Sequence, residues 1–274
     1  MTECRFRCLP ASSLADAIMT ISGRRIASSI RGLSNCVLLQ ESENRMGPNC
    51  TNCPVLKTSL FSSLSSEQVA RLGCVFRPAR YHKNQILFFE GGIAQHLFAL
   101  HAGLVKLFKS LENGKDRITG VLFPGQLFGL EALSDPTYPL SAVTLRESEI
   151  CAASRDEVVT FLQSNPEISL GMVRFLVHEV GRVRSQVTDM SFKDAKMKVA
   201  TFLLSLVASD PQPANGHTVL TLPLSRQEIS EVLELSPETI SRTLAVFRKQ
   251  ELILARGRHL TIQNLEGLKA AARR

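Results

Sequence analysis

The stretch from Leu224 to Ile253, LSRQEISEVLELSPETISRTLAVFRKQELI, carries two helix starts eleven residues apart and leaves little freedom in how it folds. Ser225 followed three residues later by Glu228 has the form of a capping box, and Ile229, Val232 and Leu233 then share one apolar face. Ser236 is a second N-cap, Pro237 takes the first helical position, and Ile240, Leu244 and Phe247 supply the next apolar stripe. Helices this short are marginal alone in water, so they must pack on each other. The pattern predicts a helix-turn-helix. The following segment, LILARGRHLTI, alternates around Gly257 like a hairpin and predicts a wing.

The side chains left outside the apolar stripe of the second helix indicate a use for the motif. Glu238, Ser241 and Arg242 fall near its N-terminal end, where a recognition helix presents groups to the major groove. Arginine can bridge guanine O6 and N7, glutamate can accept from cytosine N4, and serine suits a base or a phosphate. Ser236, Thr239 and Arg226 lie at the starts of the two helices, and Lys249, Arg256 and Arg258 are placed to meet the phosphate backbone. A solvated helix face would also carry Glu and Arg, but charge agrees with the DNA reading. The 274-residue chain has a formal net charge of +7 and a pI near 9.2, and from Lys193 onward twelve Lys and Arg face eight Asp and Glu. An anionic partner, double-stranded DNA before others, is expected.

Upstream the period changes. Gln85 to Phe89, His96 to Leu100, Val105 to Lys109 and Ile118 to Phe123 are short apolar runs divided by Gly91-Gly92, Asn113-Gly114 and Pro124-Gly125. From about Phe61 to Asn165 the pattern reads as β, a small barrel or roll. Val173, Leu176, Val180, Val183, Val187 and Met190 then step by 3 and 4, the seam of a coiled coil, with charged residues beside it and Pro166 at the front. A two-fold homodimer follows, against the alternative of a helix packing on its own domain. Because the seam holds no buried charge, the dimer should form unaided and a signal should move the DNA-binding domains. The expected organisation is α+β. Residues 1–45 form a disordered leader or an over-extended start, 46–165 a β-roll sensor, 166–192 a dimerisation helix and 193–274 a winged helix-turn-helix.

No apolar run approaches a membrane span and arginines interrupt the N-terminal segment, so a cytoplasmic location with no membrane partner is expected. In that reducing setting seven cysteines (4, 8, 36, 50, 53, 74 and 151) point to metal, cluster, redox chemistry or burial rather than disulfides. Cys50 and Cys53 form a C-x-x-C. A thioredoxin-like oxidoreductase would need a surrounding βαβ unit that is missing here. The six histidines show no mutual ligand spacing for zinc. No Walker, Rossmann or nucleophile-base pattern argues for an enzyme.

The order of β-roll, long helix and winged helix-turn-helix resembles the cAMP receptor protein and FNR (CRP/FNR) family from about Cys50 onward, with a cyclic-nucleotide-binding-like roll. SPETISRTLAVFRKQELI is similar to the family's recognition helix, and Glu238, Ser241 and Arg242 match the E-x-x-S-R of the FNR branch. The resemblance implies an inverted repeat similar to TTGAT-N4-ATCAA as target, RNA polymerase as partner, and a response to oxygen or redox state. It also places the phosphate cassette of cyclic-nucleotide sensors at FPGQLFGLEAL...PLSAVTL. There Leu140-Ser141-Ala142 stands where the sensors carry an arginine before the hydroxyl residue. A buried cyclic phosphate needs that fixed cation, which argues against cAMP.

In the FNR branch cysteines hold a [4Fe-4S] cluster. Cys50 and Cys53 resemble two N-terminal ligands and Cys151 the ligand inside the roll. The third N-terminal ligand is absent around Ser59 to Phe61, so Cys36 or Cys74 would have to supply the fourth thiolate. The alternatives are a site without a cluster in which Cys50 and Cys53 work as a thiol pair, and a haem gas sensor with His82, His96, His101 or Cys74 as axial ligand.

Overall fold

A computed structural model describes residues 54–55, 65–111, 114, 116–190, 194–209, 213–214 and 217–273. The expected leader and Cys36, Cys50 and Cys53 lie outside the described residues. The first full element is helix α1 (Ser66–Val75), which starts at a capping box: Gln68 N–H donates to Ser65 Oγ and the Ser65 N–H to Gln68 Oε1. A second helix, α2 (Arg155–Ser164), closes the same region, with Ser154 Oγ accepting from Glu157 N–H. Both correct the expectation that 61–165 is β throughout. Neither helix contains any of the four apolar runs, and each starts at its own serine N-cap.

Between them lie β1 (Arg77–Tyr81), β2 (Ile86–Phe88), β3 (His96–Ala102), β4 (Val105–Ser110), β5 (Asp116–Leu122), β6 (Leu127–Phe128), β7 (Ser141–Thr144) and β8 (Ser148–Ser154). They form two four-stranded antiparallel sheets, β1-β8-β3-β6 and β2-β7-β4-β5. The roll is therefore observed, and the four apolar runs read from the sequence are four of its strands. Leu97, Leu100, Val105, Ala142 and Ile150 fill its core. Phe88 stacks on Tyr138 at 3.9 Å between ring centroids and Phe98 on Phe128 at 5.1 Å. Gly103, at φ +104 between β3 and β4, is required twice over: a Cβ there would meet Ser148 Oγ at 2.1 Å.

Helix α3 (Pro166–Met190) is 25 residues, about 37 Å at 1.5 Å per residue. Ile168 and Met172, one turn apart, are buried against the roll, whereas Leu170, Val173, Leu176, Val177 and Val180 are exposed. The helix thus has two apolar faces, and among the described residues only one is covered. Val183, Val187 and Met190 lie on its last turns, where only the backbone is described. Among the described residues no helix is long and apolar enough to cross a membrane.

The C-terminal part comprises α4 (Ala195–Ser209), β9 (Pro213–Ala214), β10 (His217–Thr221), α5 (Arg226–Leu233), α6 (Pro237–Lys249), β11 (Ile253–Arg256), β12 (His259–Ile262) and α7 (Leu265–Arg273). Its strands form one antiparallel sheet in the order β11-β12-β10-β9. Val199, Leu203, Leu224, Ile240, Phe247, Ile253, Leu260 and Leu268 make its core, continuous with Leu104, Ile118 and Leu145 of the roll.

Candidate functional site

Helices α5 and α6 place the groups read from the sequence. The α5 capping box is complete, with Ser225 N–H donating to Glu228 Oε2 at 2.8 Å and Glu228 N–H to Ser225 Oγ at 3.2 Å. α5 ends at Leu233, and Glu234 turns the chain at φ 53, a left-handed conformation that L-residues other than glycine and asparagine adopt at a cost. Ser236 then caps α6, its Oγ accepting from Thr239 N–H at 3.1 Å, and Pro237 follows in the first turn.

Along α6, Ile240, Thr243, Leu244 and Phe247 are buried and anchor the helix on its own core. The opposite side presents Glu238, Arg242, Ala245, Arg248 and Lys249 to solvent, with Ser241 and Thr239 half-buried. Ser236, Arg226 at the first position of α5, and Arg256 and Arg258 at the β11–β12 tip are exposed as well. That tip is a hairpin in which Arg256 pairs with His259 and Gly257 takes φ +62. The Glu238 carboxyl is held below its ordinary range by its own backbone amide and by Ser236, with Arg242 one turn on pulling the same way. Glu238 is therefore an ionised acceptor at neutral pH and Arg242 a cationic donor beside it. Arg248 belongs to the same exposed face although the sequence reading omitted it; its place next to Lys249 at the helix end was the available signal.

On the roll, Cys151 lies in β8 opposite Ala99 of β3 and Pro78 of β1. It is buried in an apolar cluster with Leu72 of α1, Met172 of α3, Ala99 and Val55. Val55 follows Cys53 by two positions in the chain and is itself 3% exposed. Val55 thus packs in the same cluster as Cys151, while Cys50 and Cys53 lie outside the described residues. Cys74 is the penultimate residue of α1, and nothing is described of its side chain. Among the described residues, no three His, Cys, Asp or Glu side chains gather as a metal site. Burial pushes the Tyr81 phenol up, and Cys151 adds to the effect.

His82 is exposed with Nδ1 3.3 Å from Glu147, and His101 Nδ1 lies 3.3 Å from Glu149 without hydrogen-bond geometry. His96 is half-buried and pushed down by burial, which Glu157 opposes. In the cassette region Ser141 is buried and its Oγ accepts from Glu90 N–H at 2.9 Å. Leu140 precedes this hydroxyl, and the stacked Phe88 and Tyr138 belong to the core of the roll.

The exposed stripe of α3 is wider than the seam read from the sequence. Val173, Leu176 and Val180 are on it, and so are Leu170 and Val177. Their spacing of three and four from Val173 was the signal for including them.

Two family models match the chain: a cyclic nucleotide-binding domain over residues 78–165 and a Crp-like helix-turn-helix domain over residues 197–271. The chain is 27% identical over 225 residues to the transcriptional activator protein FnrA of Stutzerimonas stutzeri, covering 82% of this chain and 92% of that one. It is equally similar, 27% over 225 residues, to the fumarate and nitrate reduction regulatory protein of Yersinia pestis, covering 82% and 90%. Among solved structures, FixK2 from Bradyrhizobium japonicum shares the fold with a TM-score of 0.58 at 24% identity, over 72% of this chain and 97% of that one.

Proposed function

The chain belongs to the CRP/FNR family of transcriptional regulators, and from that membership we propose that it is an oxygen- or redox-responsive dimer that binds an inverted repeat similar to TTGAT-N4-ATCAA. It is a DNA-binding regulator and not an enzyme. The observation that carries the target reading is the face of α6: Glu238 and Arg242 stand exposed at the start of a capped helix whose other side is locked in the core. Arg242 reads a guanine, Glu238 a neighbouring cytosine or adenine, and Ser241 a base or phosphate. Lys249, Arg256 and Arg258 hold phosphates, with Arg226, Ser236 and Thr239 completing the backbone contacts at the helix starts. Val173, Leu176, Val180, Val183, Val187 and Met190 form the dimer seam. RNA polymerase is the partner met at the promoter.

The sensing part of the reading rests on Cys151 and Val55. Cys50, Cys53 and Cys151 would hold a [4Fe-4S] cluster, with Cys36 or Cys74 as fourth ligand, and the bound cluster would supply an oxidisable centre. What the protein contributes is a water-poor wall: Leu72, Ala99 and Met172 surround Cys151. Purification without oxygen followed by a visible spectrum with iron and sulfide analysis tests this. Broad absorbance lost in air is the expected result; a sharp Soret band or a colourless protein contradicts it.

A further inference from the structure

The roll and the DNA-binding part are joined by more than the covalent link through α3 and α4. Three polar ties cross between them. Lys106 Nζ of β4 meets Glu228 Oε1 of α5 at 3.2 Å, in a pair whose side chains are only 17% and 31% exposed. Ile118 N–H of β5 donates to Glu231 Oε2 of the same helix at 3.2 Å. Arg146, between β7 and β8, donates through Nη2 to the Ser209 carbonyl at 2.8 Å and to Ser209 Oγ at 3.1 Å. Leu104, Ile118 and Leu145 add an apolar floor that runs into the core of the helix-turn-helix.

Each tie answers a need that the sequence of one part alone leaves open. β5 is an edge strand of its sheet, and an edge exposes unpaired backbone groups; Glu231 satisfies one of them. Ser209 is the last residue of α4, where carbonyls lack helical partners and the dipole favours a cation; Arg146 supplies it. Glu228 serves two purposes at once: one oxygen completes the α5 capping box and the other accepts from Lys106. The helix-turn-helix is thus fixed to the roll through its first helix, and α6 is left with its recognition face open.

We infer that Lys106, Arg146 and Glu231 are positioning residues that set which half-site spacing the dimer accepts. This rests on the DNA-binding reading above. In a dimer, two rolls fixed by one seam would hold two helix-turn-helix units at one separation and one rotation only if each unit is held on its own roll. Adding one base pair moves a half-site by about 3.4 Å and turns it by roughly 34°, so a rigid attachment discriminates spacing and a loose one does not.

The test uses the full-length dimer with Lys106→Gln, Arg146→Gln and the pair combined, none of which touches α6 or the wing. Binding is measured on duplexes with two TTGAT-type half-sites separated by three, four or five base pairs, and on a duplex with one half-site. The wild-type dimer is expected to prefer one spacing by about tenfold or more, which is about 1.4 kcal/mol. The double variant is expected to fall within about threefold across spacings while its single half-site affinity holds and it stays folded at the assay temperature. Lys106→Arg, which keeps the charge, is expected to retain the wild-type preference where Lys106→Gln weakens it. Variants that retain the wild-type spacing profile would overturn the inference. So would a folded double variant whose binding falls equally on every duplex, the single half-site included. A wild-type dimer that ignores half-sites altogether would sink the DNA-binding reading first, an outcome distinct from a flat spacing profile with intact half-site binding.

Discussion

Arg242 and Arg258 are both exposed arginines, yet the structure gives them different surroundings and hence different expected effects. Arg242 projects from a helix fixed on its far side by Ile240, Leu244 and Phe247, so its guanidinium has a defined register for a base edge. Arg258 sits at a hairpin tip suited to phosphate. Arg242→Ala should cost about 1–3 kcal/mol on the specific site and relax one base position, while Arg258→Ala should weaken specific and random duplexes alike. Equal losses on both for Arg242→Ala, measured by fluorescence anisotropy at fixed salt, would contradict its assignment. Glu234 offers a stability prediction. Its positive φ is uncomfortable for a side chain with a Cβ, so Glu234→Gly should stabilise the fold by about 0.5–1 kcal/mol in urea unfolding, net of the entropy glycine adds to the unfolded chain.

At the scale of elements, α5 depends on one carboxylate. Burial alone would push Glu228 up, but the Ser225 amide and hydroxyl and the Lys106 ammonium together hold it below the ordinary glutamate value of 4.5. A depressed carboxyl contributes stability that is present above the unfolded value and is lost as pH falls through the folded one. Unfolding free energy should therefore decline below about pH 4.5, and Glu228→Gln should flatten that decline. Ser225→Ala should cost about 1 kcal/mol through the same cap. The exposed stripe of α3 makes the second prediction at this scale. With Val173, Leu176, Val177 and Val180 uncovered in the protomer, the cluster-free protein should sediment as a dimer at micromolar concentration. Val177→Glu and Val180→Glu together should release monomer; a wild-type monomer at that concentration would contradict the seam. The helix-turn-helix was legible in the sequence because caps act over three residues: Ser225 with Glu228 and Ser236 with Thr239 declare themselves locally. α1 and α2 were not separated from the β region although Ser65 with Gln68 and Ser154 with Glu157 carry the same kind of signal, because the pattern of the strands between them was extended over the whole of 61–165.

For the whole molecule, the part of the arrangement that sequence could not reveal is long-range pairing. Lys106 and Glu228 are separated by 122 positions, and Ile118 and Glu231 by 113. Each residue alone reads as an ordinary surface charge or strand residue, and only the fold makes them a joint between sensor and reader. The same holds for Val55 and Cys151, which share one apolar cluster although 96 positions separate them. The roll, the long helix and the winged domain were legible because each has its own period, and the resemblance to the CRP/FNR family ordered them. The most direct measurement is equilibrium binding of the purified dimer, with and without oxygen, to a duplex bearing TTGAT-N4-ATCAA and to a scrambled duplex of equal length. The account predicts that in one redox state the palindrome binds about 10³-fold or more tightly than the scrambled duplex at physiological salt. Equal affinity for the two duplexes in both states would contradict it.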